Sequence, residues 1–392
     1  MKTITCESVN IGHPDKTCDY IADCFLDEAL RQDPNAQMAI ECAIKDDLLM
    51  IYGEATTIAK IDYIRIASDA LSAIGYDKPF RILQQISQQS ADINQALNKN
   101  DTLKAGDQGM MYGYATSEIK EMLPLPLVLA HKLMQRYDSW RKGRRDFFAD
   151  AKAQVSVKYV DDEPRFIGTL LVSVSHSDSI SHDEITRLIE SDVVGYIKAD
   201  PEYSELFDTN ITKIIINPSG KFTIWGSYGD SGCVGRKICV DTYGGVGKVG
   251  GGCFSSKSPQ KVDRSAAYYA RYVAKNVVAA GLATRCEIGV SYGIGIAEPI
   301  SLSVDTFGTG DISTIKKFIK ANFNFTPANI IVELDLKKPI YKDTACYGHF
   351  GRDEFSWERI KEIPPAIAAA SDNTPKSKSR KVVKSCGSEL ST

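Results

Sequence analysis

Two short segments place cations where a helix start would normally repel them. Gly12-His13-Pro14-Asp15-Lys16 leads into an apolar-periodic stretch. Pro14 suits the first helical position, where a missing N–H costs nothing, which puts His13 at the N-cap. An acid in the first turn favours the helix dipole, but a His and a Lys oppose it. Two readings stay open for such a site: a solvated helix start, or an anion site where N–H groups, a cation and a metal-binding carboxylate converge on phosphate. The second segment, Gly250-Gly251-Gly252-Cys253-Phe254-Ser255-Ser256-Lys257-Ser258-Pro259-Gln260-Lys261-Val262-Asp263-Arg264, repeats the conflict more strongly. With Ser258 as N-cap and Pro259 as first helical residue, Lys257, Lys261 and Arg264 crowd the positive end. The preceding glycines let backbone approach a ligand closely, and this segment favours a polyphosphate site. It is not a Walker A loop, because Gly247-Lys248 is followed by Val249 and Thr242 stands where the first glycine belongs.

Between them, Gly229-Asp230-Ser231-Gly232-Cys233-Val234-Gly235-Arg236-Lys237 is a glycine-punctuated loop ending in adjacent cations. Asp150-Ala151-Lys152 and Gly106-Asp107-Gln108-Gly109 add acid and base residues near turns or strand starts, each weak alone. Together, His13, Lys152, Arg236, Lys237, Lys257 and Lys261 supply positive charge, and Asp15 and Asp263 supply hard oxygen ligands. That set suits a triphosphate with about four negative charges and a need for magnesium.

These residues need elements to hold them. The spacing predicts helices over 17–31, closed by Asp33-Pro34, and over 61–74, 183–198 and 259–280. Gln37–Ile44 and Leu48–Ala55 form a predicted hairpin around Asp46-Asp47. Its cross-strand partners sum to 93, so that Glu41 faces Tyr52, Ala39 faces Glu54, and the two glutamates share one sheet face. Residues 84–109 are expected to form a long polar loop, strands to follow at 153–160, 167–175, 211–216, 221–226 and 330–336, and a loop to occupy 341–352. From about Ser371 the Ser/Lys-rich chain suggests a disordered tail. No internal repeat is visible, and strands and helices mix without regular βαβ alternation, which makes α+β the fold class.

Composition excludes several functions. The 392 residues carry 47 Lys+Arg against 50 Asp+Glu, so neither a nucleic-acid surface nor an anionic-membrane surface is indicated. No run approaches the ~18 apolar residues of a membrane span, and the first residues lack the apolar core of a secretory signal. Ten cysteines without a C-x-x-C pair, and five unpaired histidines, point to reduced thiols in a cytoplasmic protein without catalytic zinc.

In order along the chain, Glu7-Ser8-Val9 with Gly12 to Lys16, Gln89-Ser90 with Asp92 to Gln95, Gly106 to Gly109, Asp150 to Val155, Asn217-Pro218, Gly229 to Gly245, Gly250 to Gly281 and Tyr347 to Arg352 resemble the S-adenosylmethionine synthetases (methionine adenosyltransferases). Asp241-Thr242-Tyr243-Gly244-Gly245 and Lys261 to Tyr268 are the most specific blocks, and the likeness runs from about 4 to 360. The resemblance implies three similar α/β-sandwich-like domains related by a pseudo-threefold axis, assigned here to 1–90, 104–224 and 226–364, with 365–392 as the tail. It implies ATP and L-methionine as substrates, two Mg2+ and one K+ per site, and sites shared within a homodimer, commonly paired into a homotetramer. By position, His13, Asp150, Lys152, Phe222, Asp230, Arg236, Lys237, Cys253 and Lys257 would line the ATP site. Glu54, Gln89, Asp230 and Lys261 would hold methionine. Asp15 and Asp263 would bind magnesium and Glu41 potassium, and 89–106 would correspond to a mobile gate. The glycine loop departs from the family pattern at Cys253, Ser256 and Ser258, where Ala, Gly and Asp are usual. If position 256 requires a positive φ, serine there costs roughly 1–2 kcal/mol. The gate is shorter than usual, with Ala91 and Ala96 in place of Pro and Gly. Two rival readings remain: a phosphotransferase sharing only the phosphate site, and a non-catalytic family member.

Overall fold

The computed structural model describes residues 1–88, 103–208 and 210–363. Its first helix forms where the apolar spacing requires it. In α1 (Pro14–Gln32), Ile21, Phe25, Leu26, Ala29 and Leu30 are buried. His13 is the N-cap, with Nδ1 accepting the Asp15 N–H, Pro14 opens the helix, and the Asp33 N–H closes it on Ala29 O at 2.7 Å. β1 (Lys2–Val9) precedes it. The hairpin β2 (Gln37–Lys45) and β3 (Leu48–Thr56), then α2 (Tyr63–Ile74) and β4 (Arg81–Ser87), follow.

That order repeats twice. A second pass runs β5 (Gly109–Thr116), α3 (Leu125–Arg141), β6 (Phe147–Val160), β7 (Glu163–His176), α4 (His182–Leu188) and β8 (Lys213–Ile216). The third runs β9 (Gly232–Cys233), α5 (Val262–Ala279), β10 (Arg285–Tyr292), β11 (Ser301–Asp305), α6 (Ile312–Asn322) and α7 (Pro327–Glu333). Each pass is a strand, a long helix, an antiparallel hairpin and a further helix. In the first two passes, a closing strand then lies parallel to the second hairpin strand.

The sheets exchange their opening strands in a cycle. Their orders are β1-β6-β7-β8, β11-β10-β5 and β4-β3-β2-β9. The first pass therefore lends β1 to the second hairpin, the second lends β5 to the third, and the third lends β9 to the first. This is a three-domain α+β fold with a topological repeat that residue identities conceal. The exchange binds the passes together, and Met1–Lys361 form one compact unit. In the second pass, Leu129, Leu133, Met134 and Tyr137 of α3 join a buried cluster with Val155, Val157, Val172 and Val174 of the sheet. Burial of each such aliphatic side chain stabilises by about 1.5–3 kcal/mol.

The β2–β3 register is the one expected, with Glu41 opposite Tyr52 and Ala39 opposite Glu54. Other elements differ. Residues 330–336 do not form a strand: Pro327 at the first helical position opens α7, and the β-branched run Ile330-Ile331-Val332 lies on a helix. The 221–226 stretch forms no strand, although Phe222 exchanges one backbone bond with His176 at 3.0 Å. Residues 84–87 belong to β4 rather than to a polar loop. The helix predicted over 183–198 is α4, a π-helical stretch at Ile189–Val194 and a short α-helical turn. Helix α5 starts at Val262, not Pro259, with Lys261 as N-cap. Ser258 does not cap it, because its hydroxyl accepts the Met38 N–H at 3.0 Å while its own N–H donates to Met38 O. Gln89, most of the expected gate and the tail lie outside the described residues.

Candidate functional site

The segment after β1 runs beside β6, with Asn10 N–H on Ala151 O and Gly12 N–H on Ala149 O, each at 3.1 Å. This carries His13 and Asp15 to the end of β6 that holds Asp150 and Lys152. β9, paired with β2, brings the Gly229–Lys237 loop to the same place. Asp15 Oδ1 accepts the Cys233 N–H at 3.0 Å, Oδ2 accepts from Lys237 Nζ at 2.7 Å, and Arg236 Nε lies 3.5 Å from Oδ1. Residues 218 to 222 positions away thus meet around one carboxylate.

Burial and neighbouring charge together set the protonation states. Burial, followed by Lys237 and Lys152, lowers His13 to about 3, so its imidazole is neutral. Because Nδ1 accepts the Asp15 N–H at 3.2 Å, the ring proton is on Nε2. Burial pushes the Asp15 carboxyl up, but the Lys237 ammonium and the Cys233 N–H outweigh it and hold it below its usual value. Asp150 is raised to about 6, chiefly by burial. Its Oδ2 accepts the Gly226 N–H at 3.0 Å, and its Oδ1 has no partner among the described residues. Asp230 is exposed and acts electrostatically on both His13 and Asp150. The half-buried Phe222 is held by its N–H to His176 Nε2 at 3.1 Å.

A second charged group stands at the start of α5. Lys257 and Asp263 form an ion pair, and a Cβ at Gly252 would fall 2.1 Å from the Asp263 carboxyl carbon, so only glycine allows this approach. Lys257 also bridges to Ala39, which faces Glu54 in the hairpin. Lys257, Glu54 and, two residues along, Glu41 thereby border one face of the first sheet. Cys253 touches both charged groups. It packs against Gly235, where a Cβ would lie only 2.2 Å from its own, and it interacts electrostatically with Lys257, Glu41 and Asp263. Burial raises its thiol to about 11.

The cations named from sequence therefore divide. Among the described residues, Lys152 and Lys261 have no ion-pair partner, and Arg236 keeps half its side chain exposed while touching Asp15. Arg264 is different. It is buried in a bidentate pair with Asp23, both bonds 2.8 Å, so it does not crowd the helix start as a free cation. Ser256 has φ +78°, the left-handed conformation that favours glycine, and its buried hydroxyl has no partner among the described residues. Position 256 thus carries the strain expected of a serine replacing glycine.

Metal-ligand chemistry fits. Asp15 and Asp263 each already hold a lysine ammonium against a carboxylate oxygen, the place of a cation. Among the described residues, no group of three or more His, Cys, Asp or Glu forms an all-protein cage. That suits magnesium bound by one or two carboxylates plus substrate phosphate. Glu41 is half-buried, with no ion pair among the described residues, and can accept a monovalent cation.

Sequence reasoning passed over Asp19, Asp23 and Asp27. All are buried, and all accept backbone N–H groups from distant loops. The signal was present: Asp15, Asp19, Asp23 and Asp27 recur every fourth residue, on one helix face.

Comparison with known proteins gives a consistent result. The family models described as S-adenosylmethionine synthetase N-terminal, central and C-terminal domain match residues 1–101, 102–222 and 224–359. An S-adenosylmethionine synthase of Sorangium cellulosum is 45% identical over 371 residues, covering 91% of this chain and 87% of its own. One from Mesoplasma florum is 45% identical over 375 residues, covering 92% and 98%.

Proposed function

Since the chain belongs to the S-adenosylmethionine synthetase family, we propose how its own residues carry out that family's reaction. The activity is methionine adenosyltransfer. The methionine sulfur attacks C5′ of ATP to form S-adenosylmethionine, and the displaced triphosphate is hydrolysed to pyrophosphate and phosphate. Neutral sulfur is already nucleophilic, so no general base is needed. The barrier lies in the charge developing on the departing triphosphate, which fixed cations stabilise most effectively in a water-poor site.

His13, Lys152, Arg236, Lys237 and Lys257 bind the triphosphate. The His13 Nε2–H donates toward the leaving oxygen, and the cations spread the charge. Asp150, Phe222, Asp230 and Cys253 complete the ATP site, while Glu54, Gln89, Asp230 and Lys261 hold methionine. Asp15 and Asp263 would hold magnesium, two ions per site, and Glu41 one potassium. Bound magnesium would supply Lewis-acid neutralisation of the phosphate oxygens. Two copies of the chain share their sites as a homodimer, paired further into a tetramer. The unpaired thiols of the described residues suit the cytoplasm. No helix of the described residues is long and apolar enough to cross a membrane.

The observation that carries this assignment is the meeting of His13, Asp15, Lys152, Arg236 and Lys237 from three remote parts of the chain. ATP labelled with heavy oxygen at the 5′ bridging position tests the bond that breaks. All label should appear in the phosphate products and none in the nucleoside. Label retained on adenosine, or release of ADP without a sulfonium product, would establish attack at phosphorus.

A further inference from the structure

Helix α1 presents four buried carboxylates on one face, each receiving backbone from elsewhere. Asp15 accepts the Cys233 N–H at 3.0 Å and Asp19 the Gly235 N–H at 2.9 Å. Asp23 accepts the Ser256 N–H at 3.0 Å, and Asp27 the Tyr341 and Lys342 N–H groups at 2.8 and 3.0 Å. The second and third acceptors are the informative ones. Gly235 immediately precedes Arg236-Lys237, and Ser256 immediately precedes Lys257. At 1.5 Å of rise per residue, Asp19 and Asp23 hold these two loops roughly 6 Å apart along one rigid helix.

The arrangement is costly. Like charges four residues apart repel, and buried carboxylates lose hydration. Each of the two is offset by its own buried cation, Lys16 at 2.9 Å from Asp19 and Arg264 on Asp23. Apolar side chains would fill a core at less expense, but they cannot accept an N–H from a loop.

We propose that Asp19 and Asp23 are positioning residues for adenosyl transfer. Asp19 fixes the backbone from which Arg236 and Lys237 project, Asp23 fixes that from which Lys257 projects, and α1 sets the two loops in register. The proposal rests on the assignment of those three cations to the triphosphate.

A double-mutant cycle on turnover per folded molecule tests it, with folded protein quantified by circular dichroism. Asp19→Ala, which cannot accept the Gly235 N–H, is expected to lower kcat by about 10- to 100-fold, the cost of displacing charged groups by about an ångström, with little change in the KM for methionine. In an Arg236→Ala/Lys237→Ala background, the same substitution should cost no more than about twofold, because the groups it positions are gone. Full, multiplicative loss in both backgrounds would overturn the proposal, as would parental kcat in Asp19→Ala. Parental turnover in the Arg236→Ala/Lys237→Ala protein would instead sink the underlying site assignment. Amide exchange of the unaltered protein gives a reading even if Asp19→Ala or Asp23→Ala fails to fold. The Gly235 and Ser256 amides should exchange far more slowly than that of the exposed Gly251. Equal rates would contradict the anchoring.

Discussion

The N-terminal ends of α1 and α5 show two uses of the same residues. Both carry basic side chains at the positive pole of a helix. At α1, His13 caps the helix, and Lys16 lies fully buried between Asp19 and Asp241. At α5, Lys261 occupies the N-cap without a side-chain capping bond, and Lys257 pairs with Asp263 at the edge of the site. Arg264, one residue further on, belongs with Lys16, since it is buried and matched to Asp23. A cation at a helix start is therefore not by itself an anion site. What separates the two classes is whether the cation is itself sealed from solvent beside its carboxylate, as Lys16 and Arg264 are and Lys257 is not.

Substitutions sharpen that division. Arg264→Met should have the largest effect, since it leaves Asp23 buried and uncompensated. A loss of about 3–5 kcal/mol is expected in denaturant unfolding. Stability unchanged within about 0.5 kcal/mol would mean that Arg264 is not structural. Lys257→Ala and His13→Asn should behave oppositely, lowering kcat by roughly 10²–10³-fold while leaving the unfolding midpoint near that of the parent. Near-normal turnover in both would remove their assigned roles. Ser256→Gly is the smallest change. It relieves a positive φ and deletes a buried hydroxyl without a partner, so it should stabilise by about 1 kcal/mol. A destabilised Ser256→Gly protein would show that the serine makes a favourable contact.

The legible parts of the fold were those fixed by local chemistry. The two-residue turn at Asp46-Asp47, where Asp46 takes φ +51°, sets the whole β2–β3 register and so the common face of Glu41 and Glu54. His13, Pro14 and the apolar spacing of α1 sufficed for that helix. The misread parts answer to distant partners. Ser258 has the right chemistry for a cap but serves Met38, 220 residues away. Ile330-Ile331-Val332 has strand composition, yet Pro327 starts a helix. The strand exchange is invisible locally, because β1 finds its partner in β6 and β9 is only two residues long. Part of the candidate site, the convergence of Arg236 and Lys237 on Asp15, was legible because cations stand beside glycines in the sequence. The supporting aspartates were missed because acids repeated along a helix are ordinarily its solvated face, whereas α1 is packed on both sides.

Under the proposed function, Arg236 and Lys257, at the ends of two separate loops, grip one tripolyphosphate. Calorimetric binding of the magnesium complex of imidotriphosphate, which resists hydrolysis, measures this without the chemical step. Arg236→Ala and Lys257→Ala should each weaken binding by about tenfold or more, the loss of one charge-assisted contact. Parental affinity in both variants would contradict the account.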